Sequence, residues 1–318
     1  MIQKIQITEV DLEEHKRLDT FLAKKLPDYS RSLLKKFFDK GLFSCETEEL
    51  NLKKMPSLNT VIDFEEPVLE ETDIKPQNIP LEILFEDEHL LVINKPAGLV
   101  VHPAPGNPDG TLVNAVLYHC PNLTGIGNEK RPGIVHRLDK GTSGVMVVAK
   151  SQKCHEGLVK LFSSHDIDRF YEAIVLGARL PSEKTIESLI GRSPHNRLKM
   201  ATEVKNGKNA ITHMKVLEFF KSFSHVELKL ETGRTHQIRV HLSEIMKCPI
   251  INDSMYGREK EEKLNFSSKL KSMLKDYEHP FLHAKILGFV HPITSEKLYF
   301  ETKPPQIFQD VLEALKNE

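Results

Sequence analysis

Apolar residues recur with helical spacing near the start of the chain. They fall every three or four positions at Leu18, Phe21, Leu22 and Leu26, which predicts a short helix with one apolar side. A second helix with the same pattern is predicted at residues 31–40, and Gly41 follows as its stop. The β-like segment TVIDFEEP, residues 60–67, ends this small helix-and-strand unit.

From residue 81 the pattern changes to short apolar runs separated by turns, which are typical of strands. Strands are predicted within residues 81–95, in two pieces around a turn at residues 133–150, and at 170–177 and 225–233. Helices are predicted at residues 111–120, 151–166 and 235–246. Because strands and helices do not alternate regularly, we expect an α+β fold with a mixed, mostly antiparallel central sheet flanked by helices.

Charge and proline content divide the chain into three parts. Residues 65–80 are acidic and contain three prolines, a composition that suits a linker. We therefore predict an N-terminal domain at 1–70, an acidic linker at 71–80 and a larger domain at 81–318. Within the larger domain, the Lys- and Glu-rich residues 258–278 indicate a surface helix or an insertion.

The overall net charge of −1 conceals a strong local asymmetry. Residues 61–90 carry one Lys and ten Asp/Glu, a net of −9, whereas residues 91–318 carry 32 Lys/Arg and 25 Asp/Glu, a net of +7. Local fields decide where a polyanion docks, so the basic C-terminal part remains compatible with nucleic-acid binding.

Composition excludes several classes of protein. The chain is 39% hydrophobic, has a mean hydropathy of −0.34, and contains no apolar run near the ~20 residues of a membrane helix. Its N-terminus lacks the apolar region of a signal peptide, so we expect a cytoplasmic protein without membrane contact. The four cysteines form no CxxC pair, and the 15 histidines form no HExxH motif. No metal site is therefore predicted.

The segment GIVHRLDKGTSGVMVVAK, residues 133–150, carries the strongest chemical signal. Asp139 lies in a turn-prone stretch between two apolar runs, where rigid β structure would hold it within reach of a ligand. Taken alone, the segment favours an Asp that merely shapes the turn through its side chain. A kinase catalytic loop is excluded, because the required Asn and a glycine-rich phosphate loop are missing.

Five motifs together resemble the RluA family of pseudouridine synthases. They occur in family order between residues 80 and 308: NKPAG (94–98), HRLDKGTSG (136–144), FYEA (170–173), ETGRTHQIRVH (231–241), and LHA (282–284) with HP (291–292). The segment VVHPAPGNPDGTLVNAV is most similar to the RluD-like members, which act on large-subunit ribosomal RNA. In addition, residues 15–64 resemble an S4 RNA-binding domain, although LFSCE at 42–46 departs from the usual turn sequence.

The resemblance implies an isomerase that detaches uracil from C1′ of a uridine, turns the base and rejoins it through C5. Such a reaction requires no cofactor, but it requires a carboxylate nucleophile, for which Asp139 is the candidate. Attack at C1′, attack on the base and a glycal route all remain open. Arg239 is implied as the cation that keeps this carboxylate charged, and Tyr171 as the ring that stacks on the target base.

The resemblance also implies residues that bind the substrate. The uridine must leave its stack before a carboxylate can reach the sugar, and Arg137 is the candidate to fill the vacated space or to hold a phosphate. The further candidates are His136, Thr142 and Arg234, of which Thr142 is better suited to holding the loop than to contacting the substrate.

Several functions remain in competition. The chain is interpreted as a monomeric pseudouridine synthase whose partner is large-subunit (23S) ribosomal RNA or its assembly intermediate. A transfer RNA pseudouridine synthase and a non-catalytic RNA-binding or ribosome-assembly factor on the same fold are the alternatives. A glycosidase-like hydrolase is disfavoured, because that chemistry normally needs two carboxylates and the signature segment supplies one.

Overall fold

The computed structural model describes residues 2–27, 29, 31–66, 74–104, 106–123, 125–128, 131–177, 179–257 and 266–317. The chain divides into two compact units, residues 1–73 and 74–318. Part of the predicted linker, residues 71–73, and the start of the Lys- and Glu-rich segment, residues 258–265, lie outside the described residues.

The first unit packs helices against a three-stranded sheet. Its elements are β1 (Ile2–Gln6), α1 (Glu9–Glu14), α2 (Leu18–Lys25), α3 (Arg31–Asp39), β2 (Phe43–Ser44) and β3 (Val61–Glu65). Strand β3 lies between β1 and β2 and is antiparallel to both. Phe43 stacks on Phe64 with ring centroids 4.6 Å apart, and Phe21 is fully buried in the same core. The two helices predicted from apolar spacing are confirmed.

The second unit contains the remaining strands. They are β4 (Glu82–Glu86), β5 (Leu90–Lys95), β6 (Gly127–Asn128), β7 (Arg131–Pro132), β8 (Ser143–Ala149), β9 (Asp168–Leu176), β10 (Glu183–Arg192), β11 (Met200–Thr202), β12 (Lys208–Phe219), β13 (Phe223–Leu230), β14 (Leu282–Val290) and β15 (Lys297–Glu301).

Ten of these strands form one sheet in the described part of the chain, in the order β11-β10-β12-β13-β9-β14-β8-β5-β4, with β15 pairing to β14. Strands β14 and β8 are parallel, and the other pairs are antiparallel. The expectation of a mixed, mostly antiparallel sheet in an α+β fold is therefore confirmed. Strands β8 and β14 are far apart in sequence but pair with each other in the middle of the sheet.

The second unit also contains helices, of which the one at residues 306–315 was not predicted from the sequence. They are α4 (Leu112–His119), α5 (Gln152–Ser164), α6 (Gln237–Val240), α7 (Ser268–Asp276) and α8 (Gln306–Leu315), with a 3₁₀ turn at Pro121–Leu123 and a π-helical turn at His241–Ile245. The three helices predicted between residues 111 and 246 are confirmed, the last as the short α6 followed by the π-helical turn. Among the described residues, no helix combines the length and apolar content that a bilayer crossing requires.

One strand prediction is wrong. Residues 133–137 do not form a strand before Asp139, and the segment keeps a single bridge, between Ile134 and Val148. Its apolar residues anchor a loop instead, since Leu138 is buried in the main core. A run of apolar residues can satisfy burial as loop anchors, and hydrophobic pattern alone does not distinguish this from a strand.

The glycine that follows this loop is required by the close approach of β14. Gly144 has φ +118°, and a Cβ there would lie 2.1 Å from the carbonyl oxygen of Ala284. Only glycine accepts both the backbone angle and this contact. Gly144 therefore allows β8 and β14 to pair directly beside the loop that carries Asp139.

Candidate active site

The loop at residues 134–142 presents Asp139 just before the start of the central strand β8. The Thr142 amide donates to the carbonyl of Asp139 at 3.0 Å, and the Gly98 amide donates to the carbonyl of Lys140 at 2.8 Å. The fully buried Lys95 amine donates to the carbonyls of Pro96 and Leu99, and reaches that of Lys140 at 3.4 Å. These bonds tie the Asp139 loop to the end of β5 and fix its backbone.

Asp139 and Arg239 form the ion pair that the sequence predicts. Nη1 of Arg239 donates to Oδ2 of Asp139 at 3.2 Å, although the residues are 100 positions apart. The side chains are 19% and 10% exposed, respectively. The pair is thus largely shielded from bulk water, where a charge interaction is stronger than at the surface.

The same guanidinium is anchored from behind by Asp253. Nε and Nη2 of Arg239 donate to the two carboxylate oxygens of Asp253 at 2.7 and 2.8 Å. Asp253 is fully buried, and one of its oxygens also accepts the amides of Met255 and Tyr256. This bidentate geometry fixes the plane of the guanidinium and leaves Nη1 directed at Asp139.

The ionisation of Arg239 is secured by these contacts. Burial alone would lower the pKa of Arg239, but the hydrogen bonds and negative charges of Asp253 and Asp139 raise it overall. The guanidinium also lies over the ring of Tyr256, with its Cζ 5.0 Å from the ring centroid. The site therefore holds a permanent positive charge beside the Asp139 carboxylate.

His236 also approaches the Asp139 carboxylate. Its Nε2 is 3.9 Å from Oδ2 of Asp139, and its Nδ1 is hydrogen-bonded to the Tyr256 hydroxyl at 2.8 Å. Burial lowers the pKa of His236, with Asp139 opposing and Arg239 reinforcing the effect. His236 is consequently neutral at pH 7 and does not compete with Arg239 as the counter-ion of Asp139.

Tyr171 lines the same cavity from strand β9. Its side chain is buried, and burial raises the pKa of its phenol, an effect that Arg169 partly opposes. A phenol with a raised pKa stays protonated at neutral pH and is a poor base. Among the described residues its hydroxyl has no hydrogen-bond partner. Because the residue lines the cavity, its ring offers an apolar face for a flat ligand.

The cavity around Asp139 has a volume of about 590 Å³ and is strongly cationic. The charged side chains lining it are one carboxylate, that of Asp139, and five arginines: Arg131, Arg137, Arg169, Arg234 and Arg239. Of these arginines, only Arg239 forms an ion pair with a carboxylate of the described residues. The remaining positive charge suits a polyanionic ligand.

The structure places all four predicted substrate-binding residues on the cavity lining, in different roles. Arg137 is exposed, and Arg234 is half-buried with its Nε donating to the carbonyl of Asn209 at 2.9 Å. Thr142 is buried and closes the turn after Asp139. Arg137 and Arg234 are thus the two that combine charge with access to solvent.

His136 is occupied by the protein itself. Its Nε2 accepts the amide of Val147 at 3.1 Å, and its ring stacks on Phe162 with centroids 4.5 Å apart. Burial, assisted by the charge of Arg169, lowers the pKa of His136 to about 3, so the ring is neutral. These contacts favour a role in holding the loop over direct contact with a substrate.

Sequence reasoning missed three residues of this site: Arg169, Asp253 and Tyr256. Arg169 precedes Tyr171 by two positions on β9, and residues two apart share one face of a strand; this periodicity could have pointed to it. Asp253 and Tyr256 follow the apolar pair Ile250-Ile251, and nothing in that local pattern identifies them as partners of Arg239.

One group of potential metal ligands lies outside the cavity. Atoms of Glu86, His119 and Cys120 lie within 4.8 Å of one another. Glu86 already accepts hydrogen bonds from Lys150 at 2.7 Å and pairs with His119 at 2.8 Å. These contacts account for the cluster without an ion.

Glu172, next to Tyr171, stabilises the strand that carries the cavity wall. It pairs with His225 at 3.1 Å and Lys285 at 2.6 Å, and its side chain is 8% exposed. Burial alone would raise the pKa of Glu172, but the hydrogen bonds and charges of His225 and Lys285 lower it to about 2 from 4.5. A depressed folded-state pKa stabilises the fold above the unfolded-state value, and this contribution is lost as pH falls towards 2.

We therefore expect Glu172→Gln to weaken the fold at pH 6 and to reduce its acid sensitivity. The pKa difference corresponds to a contribution on the order of 3 kcal/mol, lost in the wild type between about pH 4.5 and pH 2. Denaturant unfolding at pH 6 and pH 3 measures it. Glu301→Gln is the matched control, because Glu301 pairs with the same Lys285 at 3.6 Å but is 54% exposed. Equal pH profiles for wild type and Glu172→Gln would contradict this assignment.

Comparison with known proteins agrees with this geometry. A family profile described as RNA pseudouridylate synthase matches residues 89–244. The Ribosomal large subunit pseudouridine synthase D of Zymomonas mobilis is 45% identical over 92% of this chain and 92% of its own length. The protein of the same name from Xanthomonas campestris is 41% identical, over 95% of this chain and 90% of its own.

A solved structure extends the likeness to the fold. Human RNA Pseudouridylate Synthase Domain Containing 4 is 30% identical, covers 74% of this chain and 93% of its own, and superposes with a TM-score of 0.59. The matched profile includes Asp139, Tyr171 and Arg239, the residues that the structure brings to one cavity. Near-complete coverage of relatives above 40% identity leaves no large part of the catalytic unit unmatched, and the chain therefore belongs to the RNA pseudouridine synthase family, among its RluD-like members.

Proposed function

We propose that this protein converts uridine to pseudouridine in large-subunit ribosomal RNA, with Asp139 as the nucleophile. The observation that carries the proposal is the Asp139 carboxylate, held at 3.2 Å by Arg239 inside a cationic cavity. A nucleophile that must be ionised and aimed is served by a fixed counter-ion on a rigid support. The arginine-rich lining supplies the complementary charge for a phosphate backbone.

Tyr171 and Arg137 complete the proposed substrate site. The Tyr171 ring supports stacking of an everted base, because it is apolar and faces the cavity. Arg137 is exposed at the cavity and has no carboxylate partner among the described residues, so it is free to occupy the space left by the uridine. Base eversion costs a few kcal/mol, which such pocket contacts offset.

The reaction proposed here is an isomerisation in which no atom is gained or lost. The bond between N1 and C1′ breaks, the bond between C5 and C1′ forms, and the C5 proton is lost while N1 gains one. The neutral, buried Tyr171 phenol is better suited to orienting the base than to removing this proton. The Arg239 guanidinium lies beside the Asp139 carboxylate, and this placement suits an attack on C1′ as well as an attack on the base.

Ribosomal RNA is proposed as the substrate because relatives matched over nearly their full length carry that substrate in their names. The names of these relatives refer to the large ribosomal subunit, which supports our proposal of the cytoplasm as the location of this chain. All the site residues named above lie on one chain, which supports a monomer as the working unit.

We propose that the first unit is an S4-like RNA-binding domain, corresponding to residues 1–70 of the predicted organisation. Exposed Lys35 on α3 supports this proposal. Three other cations of α2 and α3 pair with acids of the same unit: Lys24 with Glu14, Lys25 with Asp11, and Arg31 with Asp19. The proposal therefore depends on fewer free charges than the sequence suggests; the Lys36 side chain lies outside the described residues.

Mapping pseudouridine in cells that lack this protein tests the proposed function. We expect one or more sites in large-subunit ribosomal RNA to become unmodified, and to be restored by the intact protein expressed from a plasmid. A loss confined to transfer RNA would correct the substrate. Unchanged ribosomal and transfer RNA maps would contradict the enzymatic function itself.

A further inference from the structure

Arg169 is a buried cation on the wall of the active-site cavity. Its relative exposure is 7%, and it lies on β9 two positions before Tyr171, on the same face of the strand. Its guanidinium packs on Phe162, with Cζ 5.6 Å from the ring centroid. Tyr171 and Arg169 therefore occupy neighbouring positions along one wall, about 7 Å apart by strand rise.

The protein satisfies few of the donors of Arg169. Nη2 donates to the carbonyl of Glu231 at 2.6 Å, whereas Nε is buried and has no hydrogen-bond partner among the described residues. No carboxylate of the described chain forms an ion pair with it. Burial lowers the pKa of Arg169, yet an arginine stays protonated in proteins. Arg169 is therefore a positive charge without a paired negative charge among the described residues.

An unpaired, largely desolvated guanidinium is costly, and the nearby charge of Arg234 adds to that cost. Both arginines line the cavity. An anion entering beside Tyr171 would relieve both effects. The anion that an RNA strand brings to this position is a backbone phosphodiester, which matches the planar fork of arginine.

We propose that Arg169 binds a phosphodiester group adjacent to the everted uridine, with the base stacked on Tyr171 and the sugar at Asp139. This inference rests on the proposed function. In this proposal Arg169 fixes the position of the RNA strand along the cavity. The sugar of the target nucleotide, rather than that of a neighbouring nucleotide, then meets the nucleophile.

Gly233 provides an independent way to move this guanidinium. A Cβ at Gly233 would lie 2.8 Å from Nη1 of Arg169, the far end of a flexible side chain, and Gly233 does not have positive φ. Gly233→Ala should therefore displace the guanidinium with little effect on the fold. Arg169→Gln removes the charge, and Arg169→Lys keeps it without the fork.

The test combines these variants with RNA whose phosphates are neutralised one at a time. A synthetic RNA containing the mapped uridine carries a single methylphosphonate at each position around that uridine. With the wild type, we expect one adjacent position to weaken binding about 10- to 100-fold, the effect of losing a charged hydrogen bond. Arg169→Gln and Gly233→Ala should weaken binding to unmodified RNA by a similar factor. In these two variants, the methylphosphonate at that position should cause no further loss of affinity, while in Arg169→Lys it should cause part of the wild-type loss.

A second readout is the salt dependence of binding. The slope of log Kd against log salt should fall by about 0.7–0.9 in Arg169→Gln, as expected for one lost phosphate contact. Arg179→Gln, at an exposed arginine outside the cavity lining, should behave as the wild type. If every methylphosphonate penalty is the same in Arg169→Gln, in Gly233→Ala and in the wild type, the Arg169 proposal is wrong, even when the wild type forms pseudouridine. Absence of pseudouridine formation by the wild type would instead refute the proposed function.

Discussion

Asp139→Asn is expected to lower the single-turnover rate of pseudouridine formation by at least about 10³-fold, because an amide has no nucleophilic oxygen anion; losses of this size or larger follow removal of a catalytic nucleophile. The substitution preserves shape, and Arg239 keeps its two bonds to Asp253. Binding of RNA should therefore change little.

The measurement is the rate of pseudouridine formation at saturating enzyme, together with the Kd for the same RNA. Asp310→Asn provides the matched control, since Asp310 is an exposed acid on α8 and its substitution should leave both values unchanged. Turnover by Asp139→Asn near the wild-type rate would remove Asp139 from the reaction. Loss of RNA binding with an intact fold would assign Asp139 to recognition.

Asp253→Ala is expected to have the largest effect on stability, about 3–5 kcal/mol. It leaves the Arg239 guanidinium buried with Asp139 as its one remaining carboxylate partner, and breaking one side of a buried ion pair typically costs this much. The amides of Met255 and Tyr256 also lose their acceptor. The turn after Ile251 and the aim of Nη1 should both be disturbed.

Asp253→Asn separates the effect on the orientation of Arg239 from the effect on folding. An asparagine can accept one hydrogen bond from Arg239 where the carboxylate accepts two, so the guanidinium should be less well oriented while the packing is retained. We expect a folded protein in which the single-turnover rate falls by more than RNA affinity does. Chemical unfolding and single-turnover kinetics are the two measurements. A wild-type rate in folded Asp253→Asn would show that the second hydrogen bond between residue 253 and Arg239 is not needed to orient Arg239.

The difference between the two predictions follows from where each acid lies. Asp139 faces the cavity and is 19% exposed, whereas Asp253 is fully buried behind Arg239. Removing the first mainly removes chemistry, and removing the second mainly removes support. A carboxylate–arginine–carboxylate arrangement of this kind places one carboxylate at the cavity and holds the other inside the protein.

The prediction that failed shows what hydrophobic pattern can and cannot decide. Residues 133–137 have the apolar content of a strand, but the structure uses Leu138 to anchor a loop. Ile134 and Val135 are only partly buried against the two neighbouring cores, and the backbone there is not a strand. The geometry of this segment depends on Gly144 and on the approach of β14, and β14 lies nearly 140 residues further along the chain.

From the sequence alone, residue types and local order determined much about this protein: the apolar spacing of α2, α4 and α5, the mixed sheet, and the motifs that contain Asp139, Tyr171 and Arg239. Each of these helices and motifs is expressed within a single local segment, and the irregular succession of strands and helices along the chain indicated the mixed sheet.

The tertiary structure decided what surrounds those motifs. The burial of Asp253 behind Arg239, the neutral state of His236 and the unpaired charge of Arg169 all depend on neighbours contributed by other segments of the chain. Burial, charge compensation and the direction of a side chain are properties of the assembled environment. They arise only when the path of the backbone brings those segments together, and so no local run of residues encodes them.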